Sequence, residues 1–281
     1  MRSLLVLVLL VLPIEGSDIP SFEIAPNVVM PGINAGHPDD NSTETNAALD
    51  WLKSGGRGID TAYDYHNQDQ VGEAIRQSGI ARENLFITTK ISPLVIRTAE
   101  NALNAVKTDL KELKLDYVDL VLHHFPFENE KDNVEIWKGL EMALEQNLTR
   151  SIGVSNYVEK DLKAILALKS VMPAVNQAQM SVGSHDDDTI SFCKSHGITY
   201  EAYSPLRHVN LTDSRLMSIA DKHGVSTAQV CLRWIVQQDV VIATSPGVNM
   251  EFVDADLELG TFSLSKDEMD ILSSMSSNQL K

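Results

Sequence analysis

The chain is poor in cysteine and in basic residues, and each shortage excludes a class of protein. Only two of its 281 residues are cysteines, which is too few for a disulfide-stabilised scaffold or a cysteine-rich zinc module. Lys and Arg total 23 against 39 for Asp and Glu, so the formal net charge is -16 at pH 7. Nucleic-acid-binding proteins depend on cationic contacts to phosphates. We therefore expect no nucleic-acid partner.

Long hydrophobic runs are also lacking. The apolar run at residues 4–12 is about half the length needed to span a bilayer. It follows Arg2 and precedes the small residues Gly16 and Ser17, which is the pattern of a secretory signal peptide. The sequence thus predicts a signal peptide over residues 1–17, a mature protein over residues 18–281, and a secreted protein with no membrane span. The alternative is a buried N-terminal strand or helix in a cytoplasmic protein.

A secretory route would affect two other kinds of residue. Asn41, Asn147 and Asn210 each begin an N-glycosylation sequon, which is a potential acceptor only in a secreted chain. Cys193 and Cys231 lie in apolar helical patterns, where a buried free thiol is the common outcome. A single disulfide between them is the alternative.

The remaining chain has an ordinary globular composition, with 43% hydrophobic and 22% charged residues. From Ser21 onward, short β-rich segments alternate with longer amphipathic segments. The predicted strands end near Gly36, Asp60, Lys90, His124, Ser155, Gln177, Tyr203 and Ser245. The predicted helices cover Thr43–Ser54, Val71–Gln77, Ala99–Leu113, Val134–Gln146, Glu159–Leu168, Asp188–Ser195, Thr227–Gln237 and Ser265–Met275.

This alternation favours an α/β fold with one (β/α)8 TIM barrel. Successive strands are about 30 residues apart, the size of a βαβ unit, and no linker rich in Pro, Gly or Ser divides them. The segment Phe22–Met30 ahead of the first repeat is interpreted as an N-terminal hairpin or cap. A doubly wound sheet is the alternative, but no G-x-G-x-x-G or P-loop motif follows any strand.

Three successive predicted strands end in polar side chains. In such a barrel the active site lies at the carboxyl ends of the strands. Asp60, Lys90 and His124 stand at the ends of the second, third and fourth strands, and Tyr65 follows Asp60 by five residues. Each residue alone has an ordinary structural explanation. Together they predict one convergent site.

These four residue types suit the reduction of a carbonyl group. A phenol with a pKa near 10 is a poor acid at neutral pH, and a neighbouring ammonium group favours the phenolate. A carboxylate keeps that ammonium charged and oriented, and a histidine can hydrogen-bond the developing oxyanion. The hydride would come from a separate cofactor.

The sequence resembles the aldo-keto reductase family in motifs that follow the family's order along nearly the whole mature chain. They are Gly-Ile-Asp-Thr-Ala-Tyr-Asp-Tyr (58–65), Phe-Ile-Thr-Thr-Lys (86–90), Leu-Asp-Tyr-Val-Asp-Leu-Val-Leu-His-His-Phe-Pro (115–126), Ser-Ile-Gly-Val-Ser-Asn-Tyr (151–157), Val-Asn-Gln (175–177), Tyr-Ser-Pro-Leu (203–206) and Ala-Gln-Val-Cys-Leu-Arg-Trp (228–234). The resemblance implies a TIM barrel that reduces small carbonyl compounds with NADP(H), or with NAD(H). It does not imply an oligomeric state.

The resemblance also implies roles for individual residues. Tyr65 would donate the proton, Lys90 would lower the pKa of Tyr65, Asp60 would pair with Lys90, and His124 rather than His123 would be the catalytic histidine. The cofactor residues would be Ser155, Asn156 and Gln177 at the carboxamide, Tyr203 stacked on the nicotinamide, Ser204 and Leu206 at the pyrophosphate, and Thr244 and Ser245 after the eighth strand.

The chain departs from the family pattern in three places. Gly36-His37-Pro38 replaces the family's Gly-Thr-Trp, and little chain follows the last helix, so we expect an open pocket. NADPH-specific members hold the 2′-phosphate with a Lys and an Arg, at positions that here are Thr244 and Met250, and no Lys or Arg occurs between Arg233 and Lys266. We therefore expect weak selectivity for NADPH. Arg207 and His208 are alternative sources of a cation.

Two other functional hypotheses remain open from the sequence. The first is a catalytically weak or inactive barrel that acts as a binding or regulatory protein. The second is a metal-dependent hydrolase using His37, His66, His123 and His124, whose spacing matches no metal-ligand motif. We expect no metal.

Overall fold

The computed structural model describes residues 19–37, 44–92 and 97–275, and the predicted signal peptide lies outside them. Within this part of the chain, eight parallel strands close into a barrel and an antiparallel hairpin precedes them. The hairpin strands are β1 (Ser21–Ala25) and β2 (Val28–Pro31). The barrel strands are β3 (Ile33–Ala35), β4 (Gly58–Asp60), β5 (Phe86–Ile91), β6 (Val118–His123), β7 (Thr149–Ser155), β8 (Val175–Gln179), β9 (Thr199–Tyr203) and β10 (Val241–Thr244). The predicted TIM barrel with an N-terminal hairpin is confirmed.

Helices separate the barrel strands along the chain. They are α1 (Glu44–Lys53), α2 (Gln68–Ser78), α3 (Ala99–Leu113), α4 (Glu130–Glu145), α5 (Glu159–Leu166), α6 (Asp187–Ser195), α7 (Ser214–His223), α8 (Thr227–Val236), α9 (Met250–Leu257) and α10 (Lys266–Ser273). The sequence prediction missed α7 and α9. The eight predicted strand ends each fall within two residues of an observed end.

Barrel closure excludes the doubly wound alternative. The last strand, β10, pairs in parallel with β3 as well as with β9, so the sheet has no free edge. Strands β5 and β6 are buried at all six positions, because barrel side chains face either the barrel interior or the helix layer. Two-sided burial of this kind favours apolar residues, and the charged residues that these strands do contain, Lys90 and Asp119, are paired with opposite charges.

The hairpin closes the amino-terminal end of the barrel. Ile24, Val28 and Met30 share a buried cluster with Phe86 and Val175, which are the first residues of β5 and β8. Met30 has no exposed surface. The barrel interior is therefore a packed core, and its polar side chains are accessible only from the opposite end.

The two cysteines are free and buried. Burial raises the pKa of Cys193 to about 11 and that of Cys231 to about 12, which disfavours the reactive thiolate at neutral pH. In the part of the chain that the structure describes, no helix is long and apolar enough to cross a membrane.

Candidate active site

Three side chains predicted to act together meet at the mouth of the barrel. Lys90, from β5, forms an ion pair with Asp60 at the end of β4. Its ammonium Nζ also lies 3.4 Å from the phenolic oxygen of Tyr65 and 3.2 Å from the carbonyl oxygen of Thr61. The short helical turn Tyr63–Tyr65 carries the phenol back over Lys90. The strand ends and this turn together account for the convergence.

Lys90 remains charged although its side chain is only 1% exposed. Burial has the largest single effect and lowers the pKa of Lys90, but the attraction and hydrogen bond of Asp60, together with the contributions of Tyr65 and Glu201, outweigh it, so the pKa is raised overall. A permanent positive charge therefore lies beside the Tyr65 hydroxyl. This is the electrostatic condition under which a phenol becomes a useful acid.

His124 follows β6 and approaches Tyr65 edge-on, with the ring centroids 5.8 Å apart. Burial, together with repulsion by Lys90 and His123, lowers the pKa of His124 to about 3. Nδ1 of this ring lies 3.4 Å from a carboxylate oxygen of Asp64 without meeting hydrogen-bond geometry, so the effect of burial dominates. The imidazole is consequently neutral and can donate a hydrogen bond without supplying charge.

A buried polar cluster lies beneath these groups. The side-chain nitrogen of Gln177 donates to Asp60 and to Glu201, at 2.7 Å in each case. Asn34 donates to the other oxygen of Glu201 at 3.2 Å. Burial and repulsion by Asp60 raise the pKa of Glu201 to about 8, so this carboxyl is largely protonated at neutral pH. The charges of Asp60 and Lys90 then balance.

The predicted carboxamide residues line one side of the mouth. Asn156 follows β7 in the left-handed region, with φ 62°, and donates to the carbonyl oxygen of His124 at 2.9 Å and to Ser155 at 3.1 Å. The hydroxyl of Tyr203 donates to the amide oxygen of Asn156 at 2.7 Å. The side chains available to a nicotinamide carboxamide are thus amides and hydroxyls in a fixed arrangement.

These residues border one open groove of about 640 Å³. Its lining includes Asp60, Tyr65, His124, Ser155, Asn156, Gln177, Tyr203, Ser204, Thr244 and Ser245, along with His37, Asp64, Phe125 and Arg207. Two predicted residues lie elsewhere. Lys90 lies directly under Tyr65, and Leu206 packs against the main hydrophobic core.

The two positions at which NADPH-specific members of the family carry a Lys and an Arg for the 2′-phosphate are Thr244 and Met250 here. Thr244, the last residue of β10, donates its hydroxyl to the buried carboxylate of Asp256 at 2.7 Å. Burial raises the pKa of Asp256 to about 6, so this group is mostly ionised at neutral pH. Met250, at the start of α9, is 43% exposed. The cation of Arg207 borders the groove from beyond β9.

Sequence reasoning missed several groups that hold the site together. Glu201 is visible in the sequence as a charged residue inside the short strand Tyr-Glu-Ala-Tyr, which is an unusual place for an acid. Glu44 bonds to His37 at 2.8 Å and is only 2% exposed, but nothing in the helix pattern distinguishes it. Its role depends on a contact that forms only in the folded chain.

The four histidines of the hydrolase hypothesis do not share a site. Nδ1 of His123 lies 2.6 Å from the hydroxyl of Tyr157, away from His124. His37 is bonded to Glu44, and His66 contacts Tyr63 edge-on. Among the residues described, no group of three or more His, Cys, Asp or Glu side chains is arranged to hold a metal ion.

The fold and the site define an oxidoreductase of the carbonyl-reducing class, built on a TIM barrel with its polar site at the mouth of the barrel. Comparison with known proteins agrees: residues 34–277 match the model of the aldo/keto reductase family. The chain belongs to the aldo/keto reductase family.

Three relatives illustrate this similarity. The chain is 37% identical to morphine 6-dehydrogenase of Pseudomonas putida, covering 89% of each sequence. It is 35% identical to glyoxal reductase of Bacillus subtilis, covering 81% of this chain and 82% of the relative. A Bombyx mori aldo-keto reductase solved in complex with NADP superposes with a TM-score of 0.86 at 26% identity, covering 92% and 93% of the two chains.

Proposed function

We propose that the chain reduces aldehydes or ketones to alcohols, with NADP(H) as hydride donor and Tyr65 as proton donor. The observation that carries this proposal is the position of Lys90, whose ammonium is paired with Asp60 and lies 3.4 Å from the Tyr65 hydroxyl. The carboxylate of Asp60, the ammonium of Lys90 and the phenol of Tyr65 are in contact, and the imidazole of His124 lies beside the phenol. No feature of the described site supports an inactive binding protein.

The side chains of the groove fit the nicotinamide half of the cofactor. The carboxamide of that ring offers both a donor and an acceptor, and Ser155, Asn156 and Gln177 together supply both types of partner. When bound, the cofactor supplies the hydride. These residues hold the ring, and Tyr203 borders the same part of the groove.

The protein supplies the proton and stabilises the charge that develops on the substrate. The Tyr65 hydroxyl donates its proton to the carbonyl oxygen as that oxygen becomes negative. The fixed ammonium of Lys90 stabilises the resulting phenolate, and the neutral imidazole of His124 donates a hydrogen bond to the same carbonyl oxygen. Asp60 keeps Lys90 in place through their buried ion pair.

The test is the substitution Tyr65→Phe with Tyr63→Phe as the matched control. Tyr63 lies on the same helical turn and is outside the lining of the groove. Loss of a general acid typically lowers turnover about 10²- to 10⁴-fold, so Tyr65→Phe should abolish NADPH-dependent reduction of a panel of aldehydes while cofactor binding persists. Retention of more than about a tenth of wild-type turnover would contradict the role of Tyr65.

The open groove indicates which carbonyl compounds the protein accepts. Phe125, at its rim, is 43% exposed, and Pro38 replaces the family's pocket tryptophan in the motif Gly36-His37-Pro38. Both features favour small aldehydes and aromatic carbonyl compounds over one large substrate. The glyoxal reductase relative is consistent with a small dicarbonyl substrate.

The protein's location is a separate proposal that rests on residues 1–17. An apolar run behind Arg2 and before Gly16 and Ser17 is the pattern of a secretory signal. Two of the three sequons fall at exposed positions of the described chain, Asn147 and Asn210. Sequencing the N-terminus of the protein from its native source tests this proposal. A chain that begins near Asp18 would support secretion, and a cytosolic chain that begins at Met1 would contradict it.

A further inference from the structure

A buried hydrogen bond joins β6 to the loop after β7 directly behind the site. Nδ1 of His123, the last residue of β6, lies 2.6 Å from the hydroxyl oxygen of Tyr157, and the two rings meet edge-on with centroids 5.7 Å apart. Each residue is 1% exposed. His123 directly precedes His124, and Tyr157 directly follows Asn156. The bond therefore joins the chain neighbours of two residues that line the groove.

His123 faces away from the groove. Side chains along a strand alternate between its two faces. In β6, Leu120 and Leu122 belong to the cluster inside the barrel, whereas Val121 belongs to the core that includes the surrounding helices. His123 shares the face of Val121, and Tyr157 belongs to the same core. The hydrogen bond thus lies on the helix side of the sheet, out of reach of a bound substrate or cofactor.

This bond continues the connection between β6 and β7 beyond the end of their pairing. The last register pair of the two strands joins His123 to Val154. Past that point, the side-chain nitrogen of Asn156 donates to the backbone oxygen of His124 at 2.9 Å on the groove side. The bond between His123 and Tyr157 lies on the helix side. The segments that carry His124 and Asn156 are therefore linked on both faces of the sheet.

Tyr157 is also held by β8. The side-chain nitrogen of Asn176 donates to the backbone oxygen of Tyr157 at 2.9 Å. Asn156 has a φ of 62°, so the chain turns sharply just before Tyr157. With its backbone held by β8 and its hydroxyl held by β6, Tyr157 determines how far the turn at Asn156 stands from the end of β6.

Stability alone does not explain a polar pair at this place. Burial lowers the pKa of His123 to about 3 and raises the pKa of Tyr157, so both rings are neutral. Among the residues that the structure describes, Nε2 of His123 has no hydrogen-bond partner. A buried polar atom without a partner costs stability, and two apolar side chains of similar shape would avoid that cost. The geometry that the pair maintains explains it better.

We propose that His123 and Tyr157 are positioning residues, whose hydrogen bond sets the spacing between the imidazole of His124 and the amide of Asn156. This inference rests on the proposed function, in which His124 binds the substrate carbonyl and Asn156 binds the nicotinamide carboxamide. The spacing then aligns the carbonyl with the ring that reduces it. A misplacement of about 1 Å can cost about 10²-fold in rate, so the pair affects kcat more than it affects binding.

The first experiment compares two substitutions of His123. His123→Asn places an amide atom two bonds from Cβ, as Nδ1 is, and this group can donate or accept a hydrogen bond. His123→Leu fills the space better but offers no hydrogen bond. We expect kcat to stay within about threefold of wild type in His123→Asn and to fall about tenfold in His123→Leu and in Tyr157→Phe, with KM nearly unchanged. A packing role predicts the opposite order for asparagine and leucine, and that order would overturn the proposal.

The second experiment separates positioning from stability. Tyr157→Phe leaves the imidazole without a partner and should lower Tm by about 2 °C or more. The double variant His123→Leu with Tyr157→Phe removes both partners, so its Tm should recover. Its kcat should nevertheless remain about tenfold below wild type. Recovery of kcat together with Tm would show that the pair only stabilises the core.

The third experiment needs neither cofactor nor substrate. The Cε1–H signal of His124 in the NMR spectrum is assigned by its absence in His124→Gln. Tyr157→Phe keeps both rings of the pair, so a displaced His124 signal in this variant reports a movement of His124. An unmoved signal would overturn the proposal. Because this measurement requires no catalysis, it decides the role of the pair even if the wild-type protein reduced no carbonyl compound.

Ser273→Ala is the matched control. It removes another hydrogen bond of a buried aromatic side chain, the one from the indole nitrogen of Trp234 to the Ser273 hydroxyl at 3.0 Å. These residues lie on α8 and α10, and neither borders the groove. The substitution should lower Tm but leave kcat and the His124 signal unchanged. An equal effect of this substitution on kcat would show that any loss of stability slows the enzyme, which would contradict the proposal.

Discussion

Thr244 donates its hydroxyl to the buried carboxylate of Asp256 at 2.7 Å. In this part of the groove, NADPH-specific relatives would offer a cation to the 2′-phosphate. An acid held at this place repels a phosphate rather than binding it. The local chemistry thus favours an adenosine ribose with a free 2′-hydroxyl group, as in NADH. We therefore expect NADH to serve as well as NADPH.

The first prediction follows from this arrangement. NADPH and NADH should bind with dissociation constants within about tenfold of each other, or about 1.4 kcal/mol, when titrated by fluorescence at one ionic strength. Met250→Arg, at an exposed position, should strengthen NADPH binding about tenfold and leave NADH unaffected, whereas Met250→Gln should change neither. A hundredfold preference of the wild-type protein for NADPH would show that another cation, such as Arg207, holds the phosphate.

Lys90 is expected to contribute to stability as well as to catalysis. Lys90→Met removes the cation of a fully buried ion pair and leaves Asp60 uncompensated beside Glu201. Breaking such a pair typically costs about 3–5 kcal/mol, and activity should disappear as well. Denaturant unfolding at pH 7 measures this, and the double variant Asp60→Asn with Lys90→Met should recover part of the loss. A cost below about 1 kcal/mol, typical of exposed pairs, would contradict the buried charge balance.

A buried acid outside the site predicts how stability depends on pH. Asp109, on α3, accepts a hydrogen bond from Thr89 at 2.8 Å, and burial raises the pKa of Asp109 from 3.8 to about 7. Its folded-state pKa lies above the unfolded value, so its contribution is fully present below pH 3.8 and is lost as the pH rises to about 7.

Asp109→Asn should remove this dependence because the amide does not titrate. Unfolding free energies of both proteins at pH 5 and pH 8 test the prediction. The stability of the wild type relative to the variant should fall by about 3 kcal/mol between these two pH values. An equal difference at both pH values would show that Asp109 titrates alike in the folded and unfolded chain.

Substrate breadth is the last prediction. A groove of about 640 Å³ with Phe125 exposed at its rim distinguishes poorly between substrates of different size. Apolar pockets separate compounds differing by one methylene by only about 1–3 kcal/mol. kcat/KM values for small aliphatic and aromatic aldehydes should therefore fall within about a thousandfold range. A larger preference for one bulky ketone would show that some further segment closes the groove.

The strand framework was predictable because most strands contain short apolar runs that end in polar residues or turn residues. Lys90 and Asp60 end apolar runs, and parallel strands carry their ends to one face of the barrel. Helix α7 was missed although the sequence held its signals. Leu216, Ile219 and Ala220 are buried at helical spacing, with Asp213 as the amino-terminal cap and a glycine after the last turn.

The contacts between side chains could not be predicted from spacing. Gln177 and Asp60 are 117 residues apart, and their bond exists only because the barrel closes. His37 and Glu44 are close in sequence, but the stacking of His37 on Tyr65 depends on where the loop after β3 meets the turn after β4. Spacing likewise does not show that the side chain of Leu206, which the resemblance places at the cofactor, also packs against the core.

The hairpin at the amino-terminal end of the barrel offers a place to couple the protein to a carrier or a solid support. Met30 and Val28 bury the hairpin against the first residues of the barrel strands, so the exposed hairpin turn at Asn27 lies at the end of the barrel opposite the groove. A carrier protein or a resin coupled to this turn would stand behind the barrel. Substrate and cofactor would retain open access, and an immobilised form of the enzyme is best built from this end.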